Sequence, residues 1–311
     1  MFKFLNKGLS KLTKKFNKLS SWTKCLIIVI IILLTTLVTK KPQLENFSSI
    51  KKFVSKTNNQ IYDKFYAEVY DEMIFDNTKT QYEVTEIMSQ TKAQESDLLL
   101  DIGSGTGKHV DVFNKKGLKA EGVDKSSAMV KYSRKQFPKY KFHHSDATSS
   151  MDFNHNKFTH ITCLYFTIYY IKNKSKFFAN CYDWLKPGGF LIIHLVNRNK
   201  FDPIINAADP LQMVSAQKYS KRRITSSYVR FFDMDYKADF KLDTENDVAV
   251  FVEKFVKDSG ETRYNEHKLY MPSQKHILTI AKSKGFNLFK KIDLVNVQYE
   301  YQYLYILQKP E

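Results

Sequence analysis

At 311 residues, with 43% hydrophobic and 14% aromatic content, the chain can bury a substantial core and make one large domain with an appendage, or two domains. Three cysteines, Cys25, Cys163 and Cys181, exclude a disulfide framework and fit a reducing compartment. The net charge of +17 is uneven: residues 1–60 hold twelve lysines against one acid, Glu45, a net +11, which leaves +6 for the rest and argues against a nucleic-acid-binding body.

Residues 1–24 carry seven lysines and no acid, and Phe2, Leu5, Leu9, Leu12, Phe16 and Leu19 are spaced to share one helix face. This pattern predicts a basic amphipathic helix suited to an anionic membrane surface. Residues 25–39, CLIIVIIILLTTLVT, are uncharged and bracketed by lysines, which predicts an uncleaved membrane anchor. Fifteen residues reach only about 22 Å as a helix, short of a ~30 Å hydrocarbon core, so the span relies on Trp22 and the flanking lysines to snorkel. A signal peptide is the alternative, but its basic region would be long and no small-x-small cleavage site follows. Residues 40–60 read as a linker leading into a helix, and residues 61–311 as the globular domain.

Tyr62, Tyr66 and Tyr70 recur at four-residue spacing on a predicted helix just ahead of the first core strand. That strand is LLLDI, apolar enough to be buried on both faces. It runs into Gly103, Gly105 and Gly107, a turn whose missing side chains let backbone approach a ligand closely. A helix follows from residue 108, so free N–H groups line the turn. A second strand over 117–124 ends at Asp124, a helix covers 126–137, and a third strand over 140–147 ends near Asp146. A fourth strand spans 158–166, a helix 174–186, and a turn with a fifth strand 187–196. Alternating strands and helices predict an α/β fold with a mainly parallel sheet and helices on both faces. Ligands of such sheets bind at the carboxyl ends of the strands.

The glycine spacing differs from a dinucleotide fingerprint. Asp101 stands ahead of the first glycine, where a carboxylate would repel pyrophosphate but suits an ammonium or sulfonium ligand. Asp124 lies seventeen residues beyond Gly107, a suitable distance for a carboxylate that reads ribose hydroxyls. With LLLDIGSGTG, EGVDKSSAMV, HHSDAT, FTHITCLYFTIYYI and WLKPGGFLIIHLV in this order, residues 61–196 resemble the class I S-adenosylmethionine-dependent methyltransferases. The ending at 278–310 is similar to the family's last helix and closing antiparallel strands.

The resemblance implies a Rossmann-like seven-stranded sheet in the order 3-2-1-4-5-7-6, with S-adenosylmethionine as cofactor. Asp101 and the loop Gly103, Ser104, Gly105 and Gly107 would hold the methionine moiety. Asp124, with Lys125 beside it, would bind the ribose, Met129 would flank the adenine, Asp146 would meet its amino group, and Ala147 would lie beside the ring. Leu164 and Tyr165 would open into the substrate pocket. Tyr66, Tyr165, Tyr169 and His194 are the candidate catalytic side chains, although core packing accounts equally well for the tyrosine stripe and for a buried histidine. No metal-ligand spacing is visible. Residues 197–272 predict a small antiparallel flap of two or three strands over the pocket. Arg198, Arg230 and Arg263, within or beside it, read as surface salt bridges or as holders of an acidic substrate group. Together these features predict a membrane-anchored methyltransferase that faces the cytosol and acts on a small-molecule or lipid-linked acceptor. Protein or nucleic-acid methylation and a non-catalytic cofactor-binding scaffold are the alternatives.

Overall fold

The computed structural model describes residues 16–17, 19–39, 52–149, 153–204, 217 and 220–311. The chain divides into two compact units, Met1–Ile50 and Lys51–Glu311. In the first, helix α1 (Ser21–Thr39) is described, and Trp22, Leu26, Ile28, Val29 and Ile30 are exposed on it. The expected amphipathic helix over 1–24 lies largely outside the described residues. The membrane-spanning anchor expected over 25–39 is not supported: among the described residues no helix is long and apolar enough to cross a membrane. The uncharged run is indeed several ångströms shorter than a hydrocarbon core.

The second unit opens with strand β1 (Phe53–Thr57), inside the stretch expected to be a linker. Helix α2 (Lys64–Ile74) is capped by Asp63, whose side chain accepts the Tyr66 N–H. Helix α3 (Asn77–Thr91) follows, capped by Asp76, and separates the tyrosine stripe from the first core strand. The core then runs β2 (Leu98–Ile102), α4 (Lys108–Lys115), β3 (Lys119–Asp124), α5 (Ser127–Gln136), β4 (Phe142–His144) and β5 (Phe158–Cys163). It continues through α6 (Thr167–Tyr170), α7 (Lys174–Trp184) and β6 (Leu185–Val196). Strands β7 (Ser226–Arg230), β8 (Met234–Asp243), β9 (Val248–Lys257) and β10 (Thr262–Tyr270) come next. Helix α8 (Gln274–Ser283), β11 (Asn287–Asp293) and β12 (Gln302–Gln308) close the chain.

Seven strands form one sheet in the order β11-β12-β6-β5-β2-β3-β4. Counting core strands alone, this is the expected 3-2-1-4-5-7-6. Strands β4, β3, β2, β5 and β6 pair in parallel, and β12 and β11 run antiparallel at one edge. Apolar cores lie on both faces, one built on Leu100, Ile161, Trp184 and Ile193, the other on Leu99, Val110, Phe113 and Ile306.

The flap is larger than expected. Strands β10, β9, β8 and β7 form an antiparallel set, and β1 joins β10 in parallel to make a five-stranded sheet. A third core, including Tyr66, Met129, Tyr236 and Phe255, binds this sheet to α2 and α5. Tyr70 and Ile74 of α2 and Phe240, Phe251 and Leu269 of the flap thereby line the same cavity as the ends of β2 and β3.

Candidate active site

The cavity measures about 610 Å³. One half is built from the carboxyl ends of β2 and β3: Ile102, Gly103, Gly105, Val123 and Asp124 line it, with Met129, Asp146 and Ala147 beyond. The φ of Gly105 is +53°, and a Cβ built there would meet no heavy atom within 4 Å, because it would point into open space. Gly103, at φ +71°, has no such room: a Cβ there would collide with the Thr167 side chain. The loop therefore needs glycine at both positions, at Gly105 to expose backbone to a ligand and at Gly103 to pack against α6.

Asp124 shapes the loop. Its Oδ2 accepts the Gly105 N–H at 2.9 Å and its Oδ1 accepts the Ser126 N–H at 2.7 Å. Burial raises its pKa despite these bonds. A carboxylate has about four acceptor sites, so two stay available to hydroxyl donors. Asp146 also lines the cavity, but its Oδ2 is paired with Lys125 Nζ at 2.7 Å and its Oδ1 accepts from Thr148. Burial would raise its pKa, and the Lys125 and Thr148 bonds outweigh that and lower it. An adenine amino group would have to share this carboxylate with Lys125.

Several predicted residues stand behind the cavity wall. Asp101 is buried and accepts the Thr162 hydroxyl at 2.7 Å, and burial pushes its pKa up to about 6. Ser104 is buried against Gly122, and Gly107 caps α4 next to Phe142. Leu164 packs into the core that holds Ile192 and Leu304.

Two of the four catalytic candidates are likewise core residues. Tyr169 is buried, and its hydroxyl accepts the Val196 N–H at 2.8 Å. His194 is fully buried, with Nδ1 2.6 Å from the Tyr165 carbonyl. Burial, helped by Lys79, lowers its pKa to about 4, so it stays neutral and enclosed. His194 lies on β6 and Tyr169 bonds to its backbone, so both side chains belong to the core rather than the cavity wall.

The other half of the cavity is aromatic. Tyr62, Tyr66 and Tyr70 from α2 and its approach meet Tyr165 and Tyr170 from the segment after β5. Tyr62 contacts Tyr66 and Tyr170 edge to face, with ring centroids 5.2 and 5.8 Å apart. Burial raises the pKa of all five, so they remain neutral phenols. Tyr165 sits at φ +51°, a left-handed conformation unusual for an aromatic residue.

Behind these rings lies a polar cluster that the sequence reading missed. Glu253 of β9 is buried and accepts from Tyr66 and Tyr236 hydroxyls, Asn265 Nδ2 and His267 Nε2. Its signal is strand alternation: Glu253 shares a face with the apolar Ala249, Phe251 and Phe255, where a carboxylate needs partners. None of the three flap-side arginines enters the cavity. Arg198 pairs with Asp247, Arg230 with Asp258, and Arg263 with Asp63. Among the described residues no group of three His, Cys, Asp or Glu side chains could hold a metal ion.

Residues 100–193 match the family described as methyltransferase domain. The chain is 32% identical over 158 residues to a phosphoethanolamine N-methyltransferase of Plasmodium falciparum, covering 48% of this chain and 58% of that protein. It is 26% identical over 140 residues to dTDP-3-amino-3,4,6-trideoxy-alpha-D-glucopyranose N,N-dimethyltransferase of Streptomyces venezuelae, covering 43% and 58%. The matched region thus spans somewhat over half the length of these curated relatives. The crystal structure of an S-adenosylmethionine-dependent methyltransferase from Clostridium acetobutylicum superposes with a TM-score of 0.61 at 18% identity, covering 79% of this chain and 98% of that one. Residues 100–193 thus match a methyltransferase domain, and the chain has the fold seen in S-adenosylmethionine-dependent methyltransferases.

Proposed function

We propose that the chain is an S-adenosylmethionine-dependent methyltransferase that methylates the nitrogen of a small-molecule amine. The observation that carries this reading is a cavity that joins the Gly105–Asp124 edge to five tyrosine rings. When bound, the cofactor supplies an electrophilic methyl group on a sulfonium. Asp124 would accept the ribose hydroxyls with its two spare acceptor sites, and Met129 and Ala147 would flank the adenine. Tyrosine faces attract cations, which suits an ammonium acceptor next to a sulfonium. The chain supplies alignment and a dry site, which are the main needs of an in-line displacement. The two curated relatives are named for methylation at nitrogen, which supports an amine acceptor. A nucleic acid fits less well, because the body carries little of the positive charge and its fourth core strand ends in CLYF rather than an Asn/Asp-Pro-Pro-aromatic motif.

We further infer that residues 1–39 hold the protein at an anionic membrane surface with the body in the cytosol, where a lipid-linked amine is an acceptor to test. The lysine-rich start and the exposed apolar residues of α1 support this.

The test is calorimetric titration of the full chain with S-adenosylmethionine, beside Asp124→Ala. Micromolar binding by the wild type is expected, weakened in the variant by about 2–4 kcal/mol through loss of charge-assisted hydrogen bonds. Methyl transfer to ethanolamine, phosphoethanolamine and a nucleotide-linked amino sugar is then assayed. A folded protein that binds no cofactor would leave only a scaffold reading, and binding without transfer to any amine would remove the acceptor class.

A further inference from the structure

An amine of ordinary basicity reaches an enzyme at neutral pH as an ammonium ion with no lone pair to attack a methyl group. A site for such an acceptor must take up a proton. Among the described residues, the cavity wall holds a hydrogen-bonded chain of groups able to do so. Tyr170 and His267 both line the cavity, and the Tyr170 hydroxyl lies 2.8 Å from His267 Nδ1. His267 Nε2 lies 2.7 Å from Glu253 Oε2, with both side chains almost wholly buried. Glu253 also accepts from Asn265 at 2.9 Å, from Tyr236 at 2.8 Å and from Tyr66 at 3.1 Å.

Burial alone would push the Glu253 carboxyl up, but His267, with the hydrogen bonds from His267, Asn265 and Tyr236, holds it below the usual carboxylate range. A carboxylate at Nε2 favours the imidazole tautomer with its proton on that nitrogen, which leaves Nδ1 as the acceptor facing the Tyr170 hydroxyl. Around His267 stand Tyr62 and Tyr66 from α2 and its approach, Tyr170 from α6, and Phe251 and Glu253 from β9. Among the described residues, the charged group in direct contact with the ring is the Glu253 carboxylate.

We propose that Tyr170 and His267 form the proton-accepting pair of this site, with Glu253 as the positioning residue behind them. The inference rests on the amine-methyltransferase reading above. The substrate N–H breaks as its proton passes to the Tyr170 oxygen, while the Tyr170 O–H breaks and its proton passes to His267 Nδ1. The freed nitrogen pair forms the N–C bond as the cofactor S–C bond breaks and its electrons stay on sulfur. The imidazolium is neutralised by Glu253 and later gives its proton to water. The two relay side chains come from α6 and the flap strand β10, so the flap completes the reactive half of the cavity as well as covering it.

The experiment measures kcat and KM against pH for the full chain and for Tyr170→Phe, His267→Gln and Glu253→Gln, with the amine among ethanolamine, phosphoethanolamine and a nucleotide-linked amino sugar that the wild type methylates fastest. Cofactor binding by calorimetry serves as the control for fold. Tyr170→Phe and His267→Gln are expected to lower kcat by about 100-fold or more near neutral pH, within the usual range for acid–base catalysis. The loss should shrink roughly tenfold per pH unit toward the pKa of the amine, because the acceptor then arrives already neutral. Glu253→Gln should move the wild-type pH limb, and Tyr170→Phe removes one hydroxyl even if the buried Glu253 variant fails to fold. Variants that keep full kcat, or that lose the same factor at every pH while binding cofactor normally, overturn the relay. A wild type that binds no cofactor or methylates none of the amines fails at the earlier reading instead.

Discussion

Asp101 shows how sequence can place a backbone position without fixing where its side chain goes. The strand LLLDI and the glycines after it fix where Asp101 sits, and the carboxylate is there as expected. In the fold it points behind the loop toward Thr162 rather than into the cavity. A carboxyl with a folded pKa of about 6 against an ordinary 3.8 is a stability cost. Below the lower value it is neutral in both states and costs nothing. Between the two, the unfolded chain ionises more readily, so stability falls as pH rises, by about 3 kcal/mol in all. We predict that Asp101→Asn, which keeps an acceptor for Thr162, leaves stability unchanged near pH 3 and raises it by up to that amount near pH 8. Urea unfolding at both pH values checks this, and equal stability of the two proteins at high pH would mean that Asp101 is relieved by a partner in the folded state. The same contrast runs through the site. Gly105, Asp124 and Met129 were readable because a turn, a strand end and a helix start each fix a side chain locally. Tyr169 and His194 were not, because which face of α6 or β6 looks into the cavity depends on how the flap closes over it.

At the level of elements, the parallel core was readable from alternating apolar runs, and the flap only in part: its antiparallel strands were expected, but not β7 or the joining of β1. Helix α3 carries no broad apolar stripe, since it buries Lys79 and Glu83 as an ion pair at 2.5 Å, and polar residues at core positions hide a helix from a periodicity argument. Strand β1 is five residues of mixed polarity whose partner lies about two hundred residues away, a pairing no local pattern reports. The junction that locks this sheet to α2 is Arg263. Its Nη1 reaches both Asp63 oxygens at 2.8 and 2.9 Å, Nη2 donates to the Ile61 carbonyl at 2.7 Å, and Nε donates to Asn265 at 2.9 Å. Asp63 also caps α2, so one guanidinium ties the flap, the helix start and the Glu253 partner Asn265 together. Removing one partner of a largely buried pair costs about 3–5 kcal/mol. We predict a loss near the lower end for Arg263→Met, because Asp63 keeps some contact with water. Chemical denaturation measures it, and a change under about 1 kcal/mol would mean the pair is screened like a surface contact.

For the whole molecule, charge and fold separate along the chain. Residues 1–50 hold nine lysines and a single acid, and they form a unit distinct from the body that carries the cavity. Every residue assigned to the site lies beyond Asn58, so deleting residues 1–39 removes no cavity wall and leaves β1 in its sheet. The deletion does remove seven lysines and the exposed apolar start of α1. A lysine near an anionic surface contributes about 1 kcal/mol, and the attraction decays over a Debye length of about 8 Å at physiological salt. We predict that the chain without residues 1–39 binds S-adenosylmethionine within about twofold of the full chain and loses affinity for vesicles containing phosphatidylserine. Sedimentation with such vesicles at low and high salt separates the contributions. Binding that salt abolishes would assign attachment to the lysines, and binding that survives high salt would assign it to the apolar residues of α1. Equal vesicle binding by the full and shortened chains would place the membrane contact on the body and end the role proposed for the N-terminal unit.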